Sequence, residues 1–117
     1  MKTAVSSFLK SWTMTGPFRK WEIWLANVKF DDSDEVKQRP VVIVENNIAF
    51  ILALKVTSHT PRKGFYGEYA LKYWQEAGLN KESTVRISQR LKLEEHDLNR
   101  RLGRLHSSDI LQIQSYL

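Results

Sequence analysis

From Trp21 onward, the chain runs in short strand-length stretches of apolar residues, some alternating with polar ones at a period of two and some continuously apolar, separated by polar segments. In WEIWLANVKF, Trp21, Ile23 and Leu25 fall on one face and Trp24, Ala26, Val28 and Phe30 on the other. Both faces are largely apolar, which predicts a strand that is central or covered by another element. Residues 40–46 and 48–56 are rich in branched and aromatic side chains, and predict two strands joined at Asn46 and Asn47. Pro40 lacks a backbone N–H, so it is expected to open its strand and not to sit inside a ladder. STVRISQRLK (83–92) alternates again, with Val85 and Ile87 facing one way and Arg86, Ser88 and Arg90 the other.

Between these runs the pattern breaks. DDSDEVKQ (31–38) is acidic and Ser-containing, and SHTPRKGFYGE carries Pro61, Gly64 and Gly67; both predict loops. YALKYWQEAG (69–78) predicts a change from strand to a short helix closed by Gly78. EEHDLNRRLGRL shows no clear element, and SSDILQIQSYL predicts a terminal helix. Ser107 or Ser108 would cap that helix, Asp109 would complement its dipole, and Ile110, Ile113 and Leu117 would form its buried stripe. Residues 1–20 predict an N-terminal arm, with a short helix around Ser6 to Trp12 and Phe8, Leu9, Trp12 and Phe18 available for docking. Residues 21–117 form the expected single domain.

The two runs flanking Asn46 and Asn47 place polar chemistry at one end of a hairpin. Antiparallel pairing brings the start of the first strand beside the end of the second, and so Arg39 beside Thr57. A guanidinium and a hydroxyl held on rigid strands suit a phosphodiester, which the guanidinium can grip through two parallel hydrogen bonds. Each residue alone is also ordinary, Arg39 as a surface charge and Thr57 as a common strand residue.

Charge changes the picture. Lysine and arginine total 18 against 13 acidic residues, for a formal net charge of +5 and a pI of about 9.6, which suits a polyanionic partner such as RNA or DNA. Arg62 and Lys63 sit beside Phe65 and Tyr66, a mixture able to neutralise and stack on a single strand, although such aromatics also cover cores. There is no cysteine, which excludes disulfides and thiolate metal sites. His59, His96 and His106 are too scattered for a metal motif. No stretch approaches the ~18 apolar residues of a membrane span, and the opening residues lack an apolar signal region, so a cytoplasmic protein is expected.

The order of WEIWLANVKF, a polar loop leading into RPVVIV, a strand ending KVTSHT, and RRLGRLHSSDILQIQ before a closing helix resembles the MazF/PemK (Kid) family of toxin ribonucleases from type II toxin–antitoxin systems. The resemblance covers most of residues 21–117. It implies an α+β fold, a small SH3-like β-barrel with short helices and a C-terminal helix. It also implies a homodimer that cleaves single-stranded RNA without a metal or other cofactor, and a cognate antitoxin partner. By motif position the functional pair falls on Arg39 and Thr57, with Ser58 matching less closely. The residues expected to meet RNA around that pair are Lys37, Lys55, Ser58, Arg62, Lys63 and Arg86. His59 joins the pair as the proton carrier, because an imidazole changes charge near neutral pH whereas a guanidinium stays protonated. KWEIW and DDSDEVKQ depart from the family pattern of a glycine and an acidic residue before the first tryptophan and a glycine-rich loop before the arginine. Two other classes fit the same features: a non-catalytic SH3-like module that binds nucleic acid or protein, including an inactive relative of the toxins, and a structural accessory protein.

Overall fold

The computed structural model describes residues 18–29, 35–47, 49–63 and 66–117. The expected helix near Ser6, Phe30, residues 31–34 of the acidic segment, and Gly64 and Phe65 of the basic loop lie outside the described residues. Six strands form one antiparallel sheet in the order β4-β5-β3-β2-β1-β6: β1 (Glu22–Lys29), β2 (Val36–Asn46), β3 (Ile51–Thr57), β4 (Glu68–Ala70), β5 (Thr84–Leu93) and β6 (Leu98–Arg104). One helix, α1 (Ser107–Gln114), follows. No helix among the described residues is long and apolar enough to cross a membrane.

The sheet is curled and not closed, with β4 and β6 at its edges. The curl follows from chain length. β5 and β6 flank the β3-β2-β1 core on opposite sides, and a flat sheet at ~4.8 Å per strand would hold them roughly 19 Å apart. Only residues 94–97, including the 3-10 turn Glu95–Asp97, join them, close to the limit at ~3.5 Å per residue. The sheet therefore bends, and Leu91 and Leu93 of β5 and Leu98 of β6 pack in one cluster with Val41, Ile43 and Val28. The other face buries Ile23, Val42, Leu54, Val56 and Val85 beneath Leu71, Ala77, Leu79 and Ile113 of α1. The alternation expected for β1 holds: Trp21 and Ile23 enter one cluster, Trp24, Ala26 and Val28 the other.

Several elements differ from the sequence expectation. β2 begins at Val36, so residues 36–38 belong to a strand and not to a loop, and Pro40 lies within it. This is tolerated because the pairing of β2 with β3 starts only at Val41, leaving Pro40 paired with Leu25 of β1 alone. β3 starts at Ile51, because Asn47 folds the preceding residues into a turn: its Oδ1 accepts from Ala49 N (2.9 Å) and Phe50 N (3.0 Å). Residues 72–78 form turns and no helix. Gly78 nevertheless closes them at φ +96°, with Leu79 N donating to Trp74 O and Gly78 N to Gln75 O, the paired bonds of a helix terminus. Gly78 and Gly103 lie back to back, where a Cβ on either would strike the other segment's backbone, so the turn sits directly on β6.

The helix start is also corrected. His106, not a serine, caps α1, its Nδ1 accepting from Ser108 N at 3.1 Å while its ring stacks on Tyr73. Asp109 is fully buried, and its carboxylate accepts from Tyr69 Oη (2.6 Å), Lys72 N (3.1 Å) and Tyr73 N (3.0 Å). Leu117 is 52% exposed, and Tyr116 takes the place expected for it against the core.

Glu22 fastens β1 to β6. Burial raises its pKa, but hydrogen bonds from Trp24 Nε1 (3.0 Å), Arg101 Nε (2.7 Å) and Arg19 N (2.8 Å) outweigh that and hold it below the usual carboxylate value. A depressed folded-state pKa stabilises the fold above the unfolded value, and that contribution is lost as pH falls through the folded one. Thermal melting of the parent and of Glu22→Gln between pH 7 and pH 3 should therefore show a stability gap that closes in acid. A gap that is constant with pH would contradict this role.

Candidate active site

Strand alternation builds the site. Val42 and Val44, Leu54 and Val56, and Val85 and Ile87 all point into one core cluster, so their neighbours Arg39, Lys55, Thr57 and Arg86 lie on the opposite face of the sheet. That face is apolar around Val41, Ile43 and Ala53, and turns polar where β2, β3 and β5 approach Arg39, Thr57 and Thr84. Continuing the Val41↔Lys55 register sets Arg39 opposite Thr57, as the hairpin geometry predicts. In the β3–β5 ladder the register shifts after Leu54↔Arg90, so that Lys55 faces Arg86 and Thr57 faces Thr84. The shift brings Arg86 to the same end of the sheet.

These residues line one cleft of about 610 Å³, which holds Arg39, Lys55, Thr57, Ser58, His59 and Arg86 of the expected set. Gln38, Asn80, Lys81 and Ser83 add further polar groups to its walls, and no acidic side chain lines it among the described residues. Arg39 is half-buried, and its Nη1 donates to the Gln38 carbonyl at 3.0 Å. Thr57 Oγ1 accepts from His59 N at 3.4 Å, so its own proton can be directed into the cleft. The His59 carbonyl accepts from Thr84 Oγ1, which ties the exposed imidazole's backbone to β5. A cation and a hydroxyl from adjacent strands thus face one cationic cleft. Such a cleft concentrates and orients a phosphodiester.

A second cavity of about 470 Å³ shares Thr57, His59 and Arg86 with the first and adds Thr60, Arg62 and Glu68. Arg62 grips Glu68 Oε2 through Nη2 (2.7 Å) and Nε (3.1 Å), while its backbone N donates to Oε1 (2.8 Å). The Arg62 hydrogen bonds, side chain first, hold the Glu68 carboxyl below its ordinary pKa. Lys37 and Lys63 line neither cavity: Lys37 stands 3.9 Å from Glu35, and Lys63 lies in an exposed turn. Tyr66 is 82% exposed and leans on Tyr116, so it does not cover the core. The described residues hold no group of three or more His, Asp or Glu placed to bind a metal.

Sequence reasoning missed Gln38, Asn80, Lys81 and Glu68. Gln38 falls at the end of the acidic segment 31–38, which predicts a loop. Asn80 and Lys81 follow Gly78, whose turn reverses the chain toward the cleft, and a polar run directly after a capping glycine is the signal that points to them. Glu68 is found only through the pairing of β4 with β5, where it faces Arg86.

Residues 19–117 match the family described as PemK-like, MazF-like toxin of type II toxin–antitoxin system. Solved structures with the same fold include the Mycobacterium tuberculosis toxin MazF-mt6, 22% identical with a TM-score of 0.63, over 81% of this chain and 90% of that one. An endoribonuclease from a mycobacterial species superposes with a TM-score of 0.66 at 17% identity, over 88% of this chain and 89% of its own. A mycobacterial endoribonuclease in complex with its cognate antitoxin does so at 0.62 and 18%, over 84% and 88%. No curated protein matches the sequence.

Proposed function

Because the chain belongs to the PemK-like, MazF-like toxin family of type II toxin–antitoxin systems, we propose that it is a toxin endoribonuclease that cuts single-stranded RNA without a metal ion. In this reading it works as a homodimer in the cytoplasm and is neutralised by a cognate antitoxin, as the mycobacterial endoribonuclease solved with its antitoxin illustrates. The observation that carries the reading is the shared cleft of Arg39 and Thr57, flanked by Lys55, His59 and Arg86.

RNA brings its own nucleophile, the 2′-OH. The protein has to align it with the phosphorus, accept its proton, stabilise charge on the phosphorane and protonate the departing 5′-oxygen. Arg39 binds the phosphate and stabilises its developing charge through its planar fork. Thr57 orients the 2′-OH or a phosphate oxygen. His59, one turn beyond Thr57 and exposed to the cleft, carries the proton. Lys55, Ser58, Arg62 and Arg86 supply further contacts to the strand, and Lys37 and Lys63 stand outside both cavities as peripheral contacts.

The test is cleavage of an RNA oligomer by the purified protein, with and without a chelator, followed by analysis of the ends. The reading expects a 2′,3′-cyclic phosphate or 3′-phosphate and a 5′-OH, formed equally well in chelator. Products with 3′-OH ends, activity abolished by the chelator, or salt-sensitive RNA binding with no cutting would each overturn it.

A further inference from the structure

Glu68 lies on the three-residue edge strand β4, beside an exposed loop, yet its side chain is only 3% exposed. A carboxylate covered to that degree needs partners, and Glu68 has them on two sides. Arg62 supplies the backbone and side-chain bonds described above. Across the β4–β5 pairing, Arg86 Nε stands 3.3 Å from Glu68 Oε2. That nitrogen is buried and, among the described residues, has no hydrogen-bond acceptor in line with its N–H, so the carboxylate is the charge that compensates it. The Arg86 side chain is 23% exposed and lines both cavities. With Nε turned inward against Glu68, the Nη end of the guanidinium is what remains for the cleft.

We propose that Glu68 is a positioning residue that presents Arg86 to the scissile phosphate, so that Arg39 from β2 and Arg86 from β5 grip the phosphate on either side of Thr57. The inference rests on the RNA-cleaving reading of the cleft. Glu68 does not act as a proton donor, because its bonds from Arg62 favour the ionised carboxylate. It also keeps two guanidiniums close together, which would otherwise repel. A different role for the same contacts is to anchor the loop through Arg62 alone, and the two roles separate experimentally.

Steady-state RNA cleavage by Glu68→Gln, Arg86→Ala, Arg62→Ala and the two doubles containing Glu68→Gln provides the test, with thermal melting to confirm folding. Glu68→Gln should lower kcat about tenfold to a hundredfold, with KM changing far less, since a misplaced cation loses its grip mainly on the transition state. In the Arg86→Ala background the same change should cost nothing further, whereas beside Arg62→Ala it should keep most of its effect. Equal losses with and without Arg86, or a loss that disappears only beside Arg62→Ala, overturn the proposal. A readout independent of RNA is the Arg86 Nε–H signal in nitrogen-15 NMR, expected to be slowly exchanging in the parent and shifted and fast-exchanging in Glu68→Gln. An unchanged signal also overturns the proposal. A parent protein that never cuts RNA while this signal behaves as expected would instead place the failure in the functional reading, and Glu68 would then merely order Arg86.

Discussion

Arg39→Ala is expected to reduce RNA cleavage by at least about a hundredfold in kcat, the cost of removing one preorganised charge-stabilising donor. Melting should change by no more than about 0.5 kcal/mol, because the side chain is only half-buried. Arg39→Lys retains the charge but not the fork that holds two phosphate oxygens at once, so it should recover little of the activity. Thr57 gives a sharper contrast. Its hydroxyl both faces the cleft and accepts from His59 N, shaping the turn that carries the imidazole. Thr57→Ser keeps both functions and should remain active, while Thr57→Val keeps the shape, loses the hydroxyl and should not cut. If Arg39→Ala and Thr57→Val both cleave RNA at the parent's rate, the assignment of the cleft is wrong.

The largest expected effect on stability lies away from the cleft. Asp109→Ala removes the acceptor for Tyr69 Oη and for the backbone N–H groups of Lys72 and Tyr73, all at the contact between α1 and the turn after β4. At about 1–3 kcal/mol for each donor stranded in a buried site, the loss should reach about 3–5 kcal/mol. For a domain of this size that corresponds to a fall in Tm of roughly 10–20 °C. Denaturant unfolding and calorimetry both read this directly. A loss below about 1 kcal/mol would mean that water replaces the carboxylate and that the hub is not structural. Tyr69 reports on the same contact: burial first, and then its bond to Asp109, push its hydroxyl well above the usual tyrosine value. Asp109→Ala should return it toward that value in an ultraviolet titration.

Where a strand was buried on a face, its residues announced it. β5 showed the period of two because one of its faces is covered, while β1 and the core of β2 were apolar on both faces because both are covered. The juxtaposition of Arg39 and Thr57 was legible for the same reason, since a hairpin between two apolar runs leaves little freedom of register. β6 was not legible. As an edge strand it exposes Asn99, Arg100, Arg101 and Arg104 and buries little beyond Leu98, so its composition resembles a basic linker. Residues 72–78 carried helix-forming residues, but they are tied by Asp109 and by the glycine contact with β6 into turns; tertiary contacts overrode local propensity. The Glu68, Arg62 and Arg86 cluster depends on the pairing of β4 with β5, a long-range fact that no local pattern encodes. The role of Asp109 was likewise hidden, because an acidic residue in the first turn of a helix already has a sufficient local explanation in the dipole.

In the proposed mechanism, the cleft turns the RNA's own 2′-OH on the neighbouring phosphate, held between Arg39 and Thr57. The most direct measurement takes an RNA oligomer whose cut site has been mapped with the parent protein and replaces the single ribose 5′ to the scissile phosphate with 2′-deoxyribose. The substituted strand should bind as before and not be cut at that phosphate. Cleavage there at the original rate would show that water or another nucleophile does the work, and would contradict the mechanism.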